Sequence, residues 1–299
     1  MQRNEAKRIS VFSGVAQAIS DFGLLVKFKL TLLVLFSAIM SYAIVAVGNV
    51  SLSAILLLTF GGFFITGAAN ALNQVLERDY DRLMVRTSNR PVASGRISVP
   101  KAVLLAGLMA IVGITLLTML NMTAGFLGTL SFITYAFIYT PLKRTTALSV
   151  AIGAIPGALP LIIGCVAFEQ VVSPMAMYLF ALQFFWQFPH FWAVAWVADE
   201  DYKRAGFYLL PSRNGEKDQV TGMLSFIFCL LLILNTGIGY WLGLIGGVAS
   251  VALTLLNLWW AFKCWDLYKT CSQKSARAQM FLSFAHLPLS LIVLLLDKI

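Results

Sequence analysis

The sequence predicts an all-α protein that crosses a lipid bilayer many times. The chain has 299 residues, of which 59% are hydrophobic and only 12% are charged, and its mean hydropathy is +0.83. A soluble domain of this size has no use for so much apolar surface, whereas about twenty consecutive apolar residues span a bilayer. The sequence lacks the short alternating segments of a membrane β-barrel. We therefore expect a polytopic helical membrane protein.

The apolar runs give nine candidate membrane spans. In chain order they cover residues 24–47, 51–72, 102–120, 123–140, 147–168, 174–198, 219–238, 240–262 and 279–296. Several of these runs are separated by only a few residues, as in helical hairpins. No linker or low-complexity segment divides the chain, so we expect one domain over 1–299. The N-terminus (MQRNEAKRIS) is polar and lacks a cleavable signal pattern, so we expect residues 1–23 to form a retained cytoplasmic segment.

The net charge of +9 is best explained by membrane topology. When the loops are assigned alternately to the two sides, every lysine and arginine among the 22 falls on one side except Lys298. Because basic residues accumulate in cytoplasmic loops, the N-terminus should be cytoplasmic and the C-terminus outside. This distribution makes nucleic acid a poor candidate partner.

Oxygen-bearing side chains recur at steps of four where the second apolar run ends. Asn73, Glu77 and Asp81 would share one face of a helix. Carboxylates so close to lipid are costly unless a ligand occupies them, and Mg²⁺ prefers oxygen ligands that it shares with substrate phosphates. The stripe therefore indicates a magnesium site. The alternative is a solvated helix end whose carboxylates pair with the neighbouring arginines.

Two further charged clusters lie on the same predicted side of the membrane. Lys143 and Arg144 follow Pro141 in a short loop and suit the binding of a diphosphate, although two cations on a cytoplasmic turn need no role beyond topology. Asp201 ends the sixth apolar run, and Val197 stands four residues before it. Asp201 would thus act without a paired carboxylate, or it would belong to a solvated helix cap.

His190 lies within the aromatic segment WQFPHFWAVAW of the sixth span. An ionisable residue inside a span usually faces the bundle interior or a cavity. The density of aromatic rings around it favours a flat, apolar ligand, and the alternative is a histidine bonded to a neighbouring helix.

The fifth span contains Pro156 and Pro160 among several glycines. Proline removes a backbone donor and kinks a helix. The kink would shape the wall of a cavity, or it would serve close helix packing.

Five segments in this order resemble the UbiA-type intramembrane prenyltransferases. They read NxxxERDYDRxMxRTxxRP (73–91), YTPLKRTT (139–146), GAxPGAxP (153–160), WQFPHFW (186–192) and EDYKRAGFYLLP (200–211). The closer likeness is to the branch that farnesylates protohaem IX, because Gln74 and Val197 stand where quinone-pathway members commonly have aspartates. The resemblance covers nearly the whole chain. It implies a bundle of nine helices around a central cavity, in a bacterial cell (inner) membrane.

The resemblance also implies a reaction and a role for each motif. Farnesyl diphosphate would alkylate a vinyl group of protohaem IX, with addition of water, to give haem O and diphosphate. The implied ligands of Mg²⁺ are Asn73, Glu77, Asp81 and Asp201. The implied catalytic residues are these four together with Lys143 and Arg144. The implied substrate-binding residues are Arg82, Arg86, Arg90, His190, Trp192 and Tyr202. The implied partners are both substrates, the lipid bilayer, and haem A synthase or a terminal oxidase.

Two other functions stay open on the sequence alone. A UbiA-type prenyltransferase could act on a quinone precursor instead of haem. A transporter for a polar solute would also use broken helices and intramembrane charge, but it gives no reason for carboxylates flanked by cations.

Overall fold

The computed structural model describes residues 2–207, 209–212 and 216–299, and the side chains from residue 14 onward within them. The described chain is helical, without β-strands, which confirms the predicted all-α class. The helices are α1 (Gln2–Leu25), α2 (Phe28–Val45), α3 (Leu52–Leu76), α4 (Arg78–Asp81), α5 (Val99–Leu120), α6 (Met122–Ile133), α7 (Thr140–Leu142), α8 (Ser149–Glu169), α9 (Pro174–Val197), α10 (Asp199–Arg204), α11 (Gln219–Trp241), α12 (Gly247–Thr270) and α13 (Gln273–Leu296). A π-helical segment, Thr134–Tyr139, joins α6 to α7.

Eight helical segments of the described chain are long and apolar enough to cross a membrane. They are α2, α3, α5, the continuous Met122–Leu142 segment, α8, α11, α12 and α13. The 24-residue α9 packs against α8, α11 and α13, but it carries Gln183, Gln187 and His190 and is not among the eight. The predicted multi-span helical architecture is confirmed, whereas the count of nine is not.

The first span begins later than predicted. The sequence suggested 24–47, but α1 continues to Leu25 and α2 begins at Phe28. Lys27 separates them in a left-handed conformation, with φ of 48°, which stops one helix and redirects the chain.

Side chains of α3 satisfy the carbonyls at the end of α1. Gln74 donates through Nε2 to the carbonyls of Leu24 at 2.8 Å and Leu25 at 3.1 Å. Asn70 donates through Nδ2 to the carbonyl of Val26 at 3.1 Å. Because the last carbonyls of a helix have no partners within it, these bonds fix the chain break against α3.

The turn between the seventh and eighth predicted spans was also misplaced. It was expected near Gly239, but α11 continues to Trp241 and the chain turns around Gly243, where φ is 69°. Gly239 instead packs against a ring, since a Cβ there would lie 2.5 Å from Cε2 of Tyr178. The glycine marks close packing and not a turn.

The prolines of α8 line a cavity. Pro156, Gly157 and Pro160 line an internal cavity against α2, α3 and α6. Pro160 has no N–H to donate to the carbonyl of Pro156, and Ser131 of α6 donates to that carbonyl at 3.2 Å instead. A neighbouring helix thus satisfies the freed backbone group inside the membrane.

Candidate active site

The predicted stripe faces a polar cavity at the end of α3. The backbone leaves helical geometry at Glu77, with φ of −98° and ψ of 6°, and α4 resumes directly after it. Asn73, Glu77 and Asp81 nevertheless reach one cavity of about 140 Å³. The other residues that line it are Lys27, Met84, Arg86, Arg90, Tyr139, Lys143, Tyr202, Phe207 and Leu209.

Glu77 and Lys143 form a buried ion pair across this cavity. Nζ of Lys143 donates to Oε1 of Glu77 at 2.7 Å and lies 4.7 Å from the centre of the Tyr139 ring. Burial would raise the pKa of Glu77, but the positive charges of Lys143 and Lys27 outweigh it and lower that pKa. Burial opposes the charge on Lys143, yet Glu77 raises the pKa of its ammonium above the ordinary value. Both partners are therefore held in their charged forms.

Asp81 is fully buried and is held by Arg90. Nη1 of Arg90 lies 2.8 Å from each carboxylate oxygen of Asp81 and 4.0 Å from Oε2 of Glu77. Burial raises the pKa of Asp81, and the guanidinium opposes that rise without cancelling it. One arginine therefore serves both carboxylates of the stripe.

Asn73 is fixed from two sides. Its Nδ2 donates to Oγ1 of Thr140 at 3.3 Å, and its Oδ1 accepts from Nζ of Lys27 at 2.7 Å. Thr140 follows the π-helical segment, and π-bulges are frequent at functional sites because they re-aim side chains.

Lys27 is a site residue that sequence reasoning missed. Burial lowers its pKa well below the ordinary value, and repulsion by Arg90 and Lys143 adds to the effect. The available signal is a lysine inside an apolar run, which the one-sided distribution of basic residues explains by topology alone.

Asp201 holds the loop after α4. Its two carboxylate oxygens accept from the backbone amides of Val85 and Arg86, each at 3.2 Å, and it pairs with Arg204. Burial would raise the pKa of Asp201 slightly, but these two amides outweigh it and lower that pKa. Asp201 is not among the residues that line the cavity, so its role as a metal ligand stays a prediction.

Arg86 and Tyr202 both line the cavity and contact each other. Nη2 of Arg86 donates to the Tyr202 hydroxyl at 3.2 Å. Asp201 and Tyr202 belong to the same predicted cluster. Tyr202 lines the cavity itself, and Asp201 acts on the cavity by fixing the backbone of Arg86.

Besides Asp201, four predicted site residues do not line the polar cavity. Arg82 donates to the carbonyl of Ala93 at 2.7 Å, and Arg144 donates to the carbonyl of Leu76 at 2.6 Å, at the end of α3. His190 bonds to α13, and Trp192 packs in a separate aromatic cluster with Phe188. The substrate-binding and catalytic roles of these four residues stay predictions.

Two apolar cavities lie beyond the polar one along α3. The larger apolar cavity, of about 90 Å³, is lined by Asn70 and Tyr135. These residues lie one helical turn from Asn73 and Tyr139 of the polar cavity, respectively. The smaller apolar cavity, of about 30 Å³, reaches Leu58 and shares five lining residues with the larger one. The shared residues are Val34, Ile65, Thr66, Ser131 and Pro160. At 1.5 Å per residue, the path from Asn73 to Leu58 is about 22 Å long. This arrangement suits a ligand with a charged head and a long apolar tail.

The donor set of the polar cavity fits Mg²⁺. Glu77, Asp81 and Asn73 are buried and offer two carboxylates and one amide oxygen to the same space. Within the described ranges, no three His, Cys, Asp or Glu side chains group as a metal site. A cage made of protein alone is not what Mg²⁺ requires, since it keeps several waters and binds one or two carboxylates together with substrate phosphates.

Comparison with known sequences gives one consistent result. The sequence profile of the UbiA prenyltransferase family matches residues 34–285. The protoheme IX farnesyltransferase of Flavobacterium psychrophilum is 39% identical over 297 residues, which cover 97% of this chain and 98% of that protein. That of Cytophaga hutchinsonii is 41% identical over 277 residues, which cover 92% and 96%.

Solved structures share the fold at low sequence identity. A structure of digeranylgeranylglyceryl phosphate synthase matches with a TM-score of 0.78 at 16% identity, covering 94% of this chain and 99% of that one. A UbiA homolog from Archaeoglobus fulgidus bound to GPP and Mg2+ matches with a TM-score of 0.66 at 16% identity, covering 92% and 99%. These likenesses support the helical architecture.

Proposed function

Because the chain belongs to the UbiA prenyltransferase family, we propose that it transfers a farnesyl group from farnesyl diphosphate to a vinyl group of protohaem IX. Water is added in the reaction, and the products are haem O and diphosphate. The named activity of relatives 39–41% identical over nearly the full chain supports haem as the acceptor.

The observation that carries the proposal is that the polar cavity and the apolar cavities lie next to each other along α3. Arg86, Arg90 and Lys143 oppose the two carboxylates of the polar cavity, so positive charge is in excess there even without Lys27. A diphosphate head would bind this excess charge, and the farnesyl tail would follow α3 into the apolar cavities. A transporter for a polar solute has no use for the apolar continuation.

The reaction breaks the bond between C1 of farnesyl and a diphosphate oxygen, and the electron pair leaves with the diphosphate. Lys143, Arg86 and Arg90 would stabilise the negative charge that develops on that oxygen. C1 then forms a carbon–carbon bond with the vinyl group, water adds to the remaining cationic carbon, and a proton is lost. The apolar wall would keep water from C1 until the vinyl group reacts.

Mg²⁺ is the metal that this donor set suits. Asn73, Glu77 and Asp81 would hold it, and it would supply charge neutralisation on the leaving diphosphate. In this structure Arg90 donates to the carboxylate of Asp81 and Lys143 donates to that of Glu77. We expect both cations to shift toward the diphosphate oxygens when substrate and metal bind. Asp201 would contribute indirectly, by fixing Arg86.

The test is product formation by the purified chain with farnesyl diphosphate, protohaem IX and Mg²⁺, followed by mass spectrometry. We expect a farnesylated haem product that disappears with EDTA and returns with added Mg²⁺. A phenolic quinone precursor is offered in a parallel reaction. Prenylation of the phenol without any haem product would replace this proposal with the quinone-pathway alternative.

We place the protein in the bacterial cell membrane with its N-terminus and polar cavity on the cytoplasmic side. The one-sided distribution of basic residues supports this orientation. Reporter fusions to the N-terminus and to the C-terminus test this orientation, since only the C-terminal fusion should report an outside location. A haem A synthase or terminal oxidase would consume the product, and co-purification of either enzyme would test that partnership.

A further inference from the structure

The two histidines of the chain lie in contrasting hydrogen-bond environments. His190 of α9 is half-buried, and its Nδ1 lies 2.7 Å from Oγ of Ser283 on α13. Ser283 donates its only hydroxyl proton to the carbonyl of Met280 at 2.6 Å. Its oxygen is then an acceptor, so the proton between His190 and Ser283 belongs to Nδ1 of the ring.

The opposite tautomer of His190 would leave a donor without a partner. If Nε2 carried the proton, that N–H would find no acceptor among the residues that the structure describes. A donor left unsatisfied in an apolar environment is costly. The arrangement with Nδ1–H satisfies both donors and leaves the lone pair of Nε2 free, which is the form of imidazole that binds a metal.

His286 shows the reverse arrangement and serves as an internal comparison. Its Nε2 lies 2.8 Å from Oδ1 of Asn257, whose Nδ2 donates to Thr236. The proton of His286 therefore sits on Nε2, and the residue is 1% exposed. His286 is enclosed within the bundle, whereas His190 is not.

We propose that Ser283 is a positioning residue that holds neutral His190 with Nε2 directed to the iron of the protohaem substrate. This inference rests on the proposed function, since it concerns how that substrate is bound. It assigns the α9–α13 contact as the place where the iron of the acceptor is held.

The surroundings of His190 suit a flat apolar ring. Trp186 stacks on the imidazole at 4.5 Å between ring centres with an interplanar angle of 14°, which fixes the ring plane. Phe284 meets the imidazole edge-on at 5.4 Å and is half exposed on the outer surface of α13. Trp186 also donates through Nε1 to the carbonyl of Ser283 at 3.2 Å, so the same short segment of α13 orients both rings.

The first experiment identifies the iron ligand. The purified full-length chain is titrated with ferric protohaem, and absorption and electron paramagnetic resonance spectra are recorded. We expect a histidine-ligated spectrum that His190→Gly loses and that added imidazole restores. A spectrum unchanged by His190→Gly would overturn the inference.

The second experiment tests Ser283. Because the hydrogen-bond partner of a metal-ligating histidine typically contributes about 10- to 100-fold to metal affinity, we expect Ser283→Ala to weaken haem binding about tenfold, with rescue by Ser283→Thr. Ser290→Ala is the matched control, since Ser290 is buried on the same helix and bonds only to the carbonyl of His286. It should leave haem binding unchanged.

Iron-free protoporphyrin IX separates ligation from packing. Ser283→Ala should bind the iron-free ring as well as the unaltered chain does. Equal weakening for both rings would mean that Ser283 only packs, and it would refute the positioning role. Haem farnesylation with no dependence of the iron spectrum on His190 would overturn this inference alone, whereas failure to bind or farnesylate haem at all would overturn the proposed function.

Discussion

Nζ of Lys143 lies 2.7 Å from Oε1 of Glu77, and their side chains are only 13% and 5% exposed. The pair connects the end of α3 to the loop that follows α7. It therefore fixes the distance between the first acidic motif and the YTPLKRTT segment, which are 66 residues apart in the chain. A buried ion pair of this kind is sensitive to the loss of one partner, because the remaining charge is left without compensation.

Replacement of Lys143 should therefore affect stability as well as turnover. We expect Lys143→Met to lower the free energy of unfolding by about 3 kcal/mol, since it removes the nearest cation from a buried carboxylate and leaves only Arg90 at 4.0 Å. The loss of a cation at the leaving group should also reduce kcat about a hundredfold. Thermal unfolding in detergent and turnover of farnesyl diphosphate measure the two effects.

The double variant Glu77→Gln/Lys143→Met separates these effects. It removes both charges, so most of the lost stability should return while turnover stays low. Recovery of turnover together with stability would show that the pair is structural and that neither residue contacts substrate.

Lys27 should matter for binding of the diphosphate. Its Nζ atom lies 2.7 Å from Oδ1 of Asn73 within the polar cavity. We expect Lys27→Met to raise the KM for farnesyl diphosphate about tenfold, the effect of roughly 1.4 kcal/mol of lost interaction. Lys29→Met is the control, because Lys29 carries the same charge two residues away but is exposed. Equal effects of the two substitutions would point to membrane topology and not to the site.

The apolar cavities should set the accepted tail length. Val34 lines both of them, so Val34→Phe would place a ring in the path of the tail. We expect a roughly tenfold higher KM for farnesyl diphosphate, the effect of about 1.4 kcal/mol, and a smaller change for the shorter geranyl diphosphate. Val112→Phe makes the same change at an exposed position of α5 and should alter neither value. A tail that lies elsewhere would leave Val34→Phe without effect.

The sequence predicted those parts of the site that depend on one helix or one short loop. Asn73, Glu77 and Asp81 stay on one face despite the break at Glu77, because α4 resumes in nearly the same register. Lys143 reaches Glu77 because the helical segment Met122–Leu142 ends at the residue before it. Periodicity and turn chemistry carry such local relationships.

The parts that failed depend on tertiary contacts that no local pattern encodes. From the sequence, Lys27 is explained by membrane topology alone. Its contact with Asn73 depends on the left-handed break between α1 and α2. The sequence also does not show that the loop after α4 presents two backbone amides to Asp201, whose role as a metal ligand stays a prediction. The proton position on His190 depends on Ser283, which lies 93 residues further along the chain.

Asp81 provides the most direct test of the predicted metal site. The Asp81→Asn substitution keeps the shape of the side chain but removes its charge, so Arg90 would lose its anionic partner and Mg²⁺ one ligand. We expect kcat to fall by a factor of about 100 or more, with the protein still folded in membranes, and a higher Mg²⁺ concentration required for half-maximal rate. Asp79→Asn is the matched control, because Asp79 is two residues away, 68% exposed and paired with Arg78. If Asp81→Asn turns over farnesyl diphosphate as fast as Asp79→Asn does, the metal is held by other residues and the stripe has a structural role only.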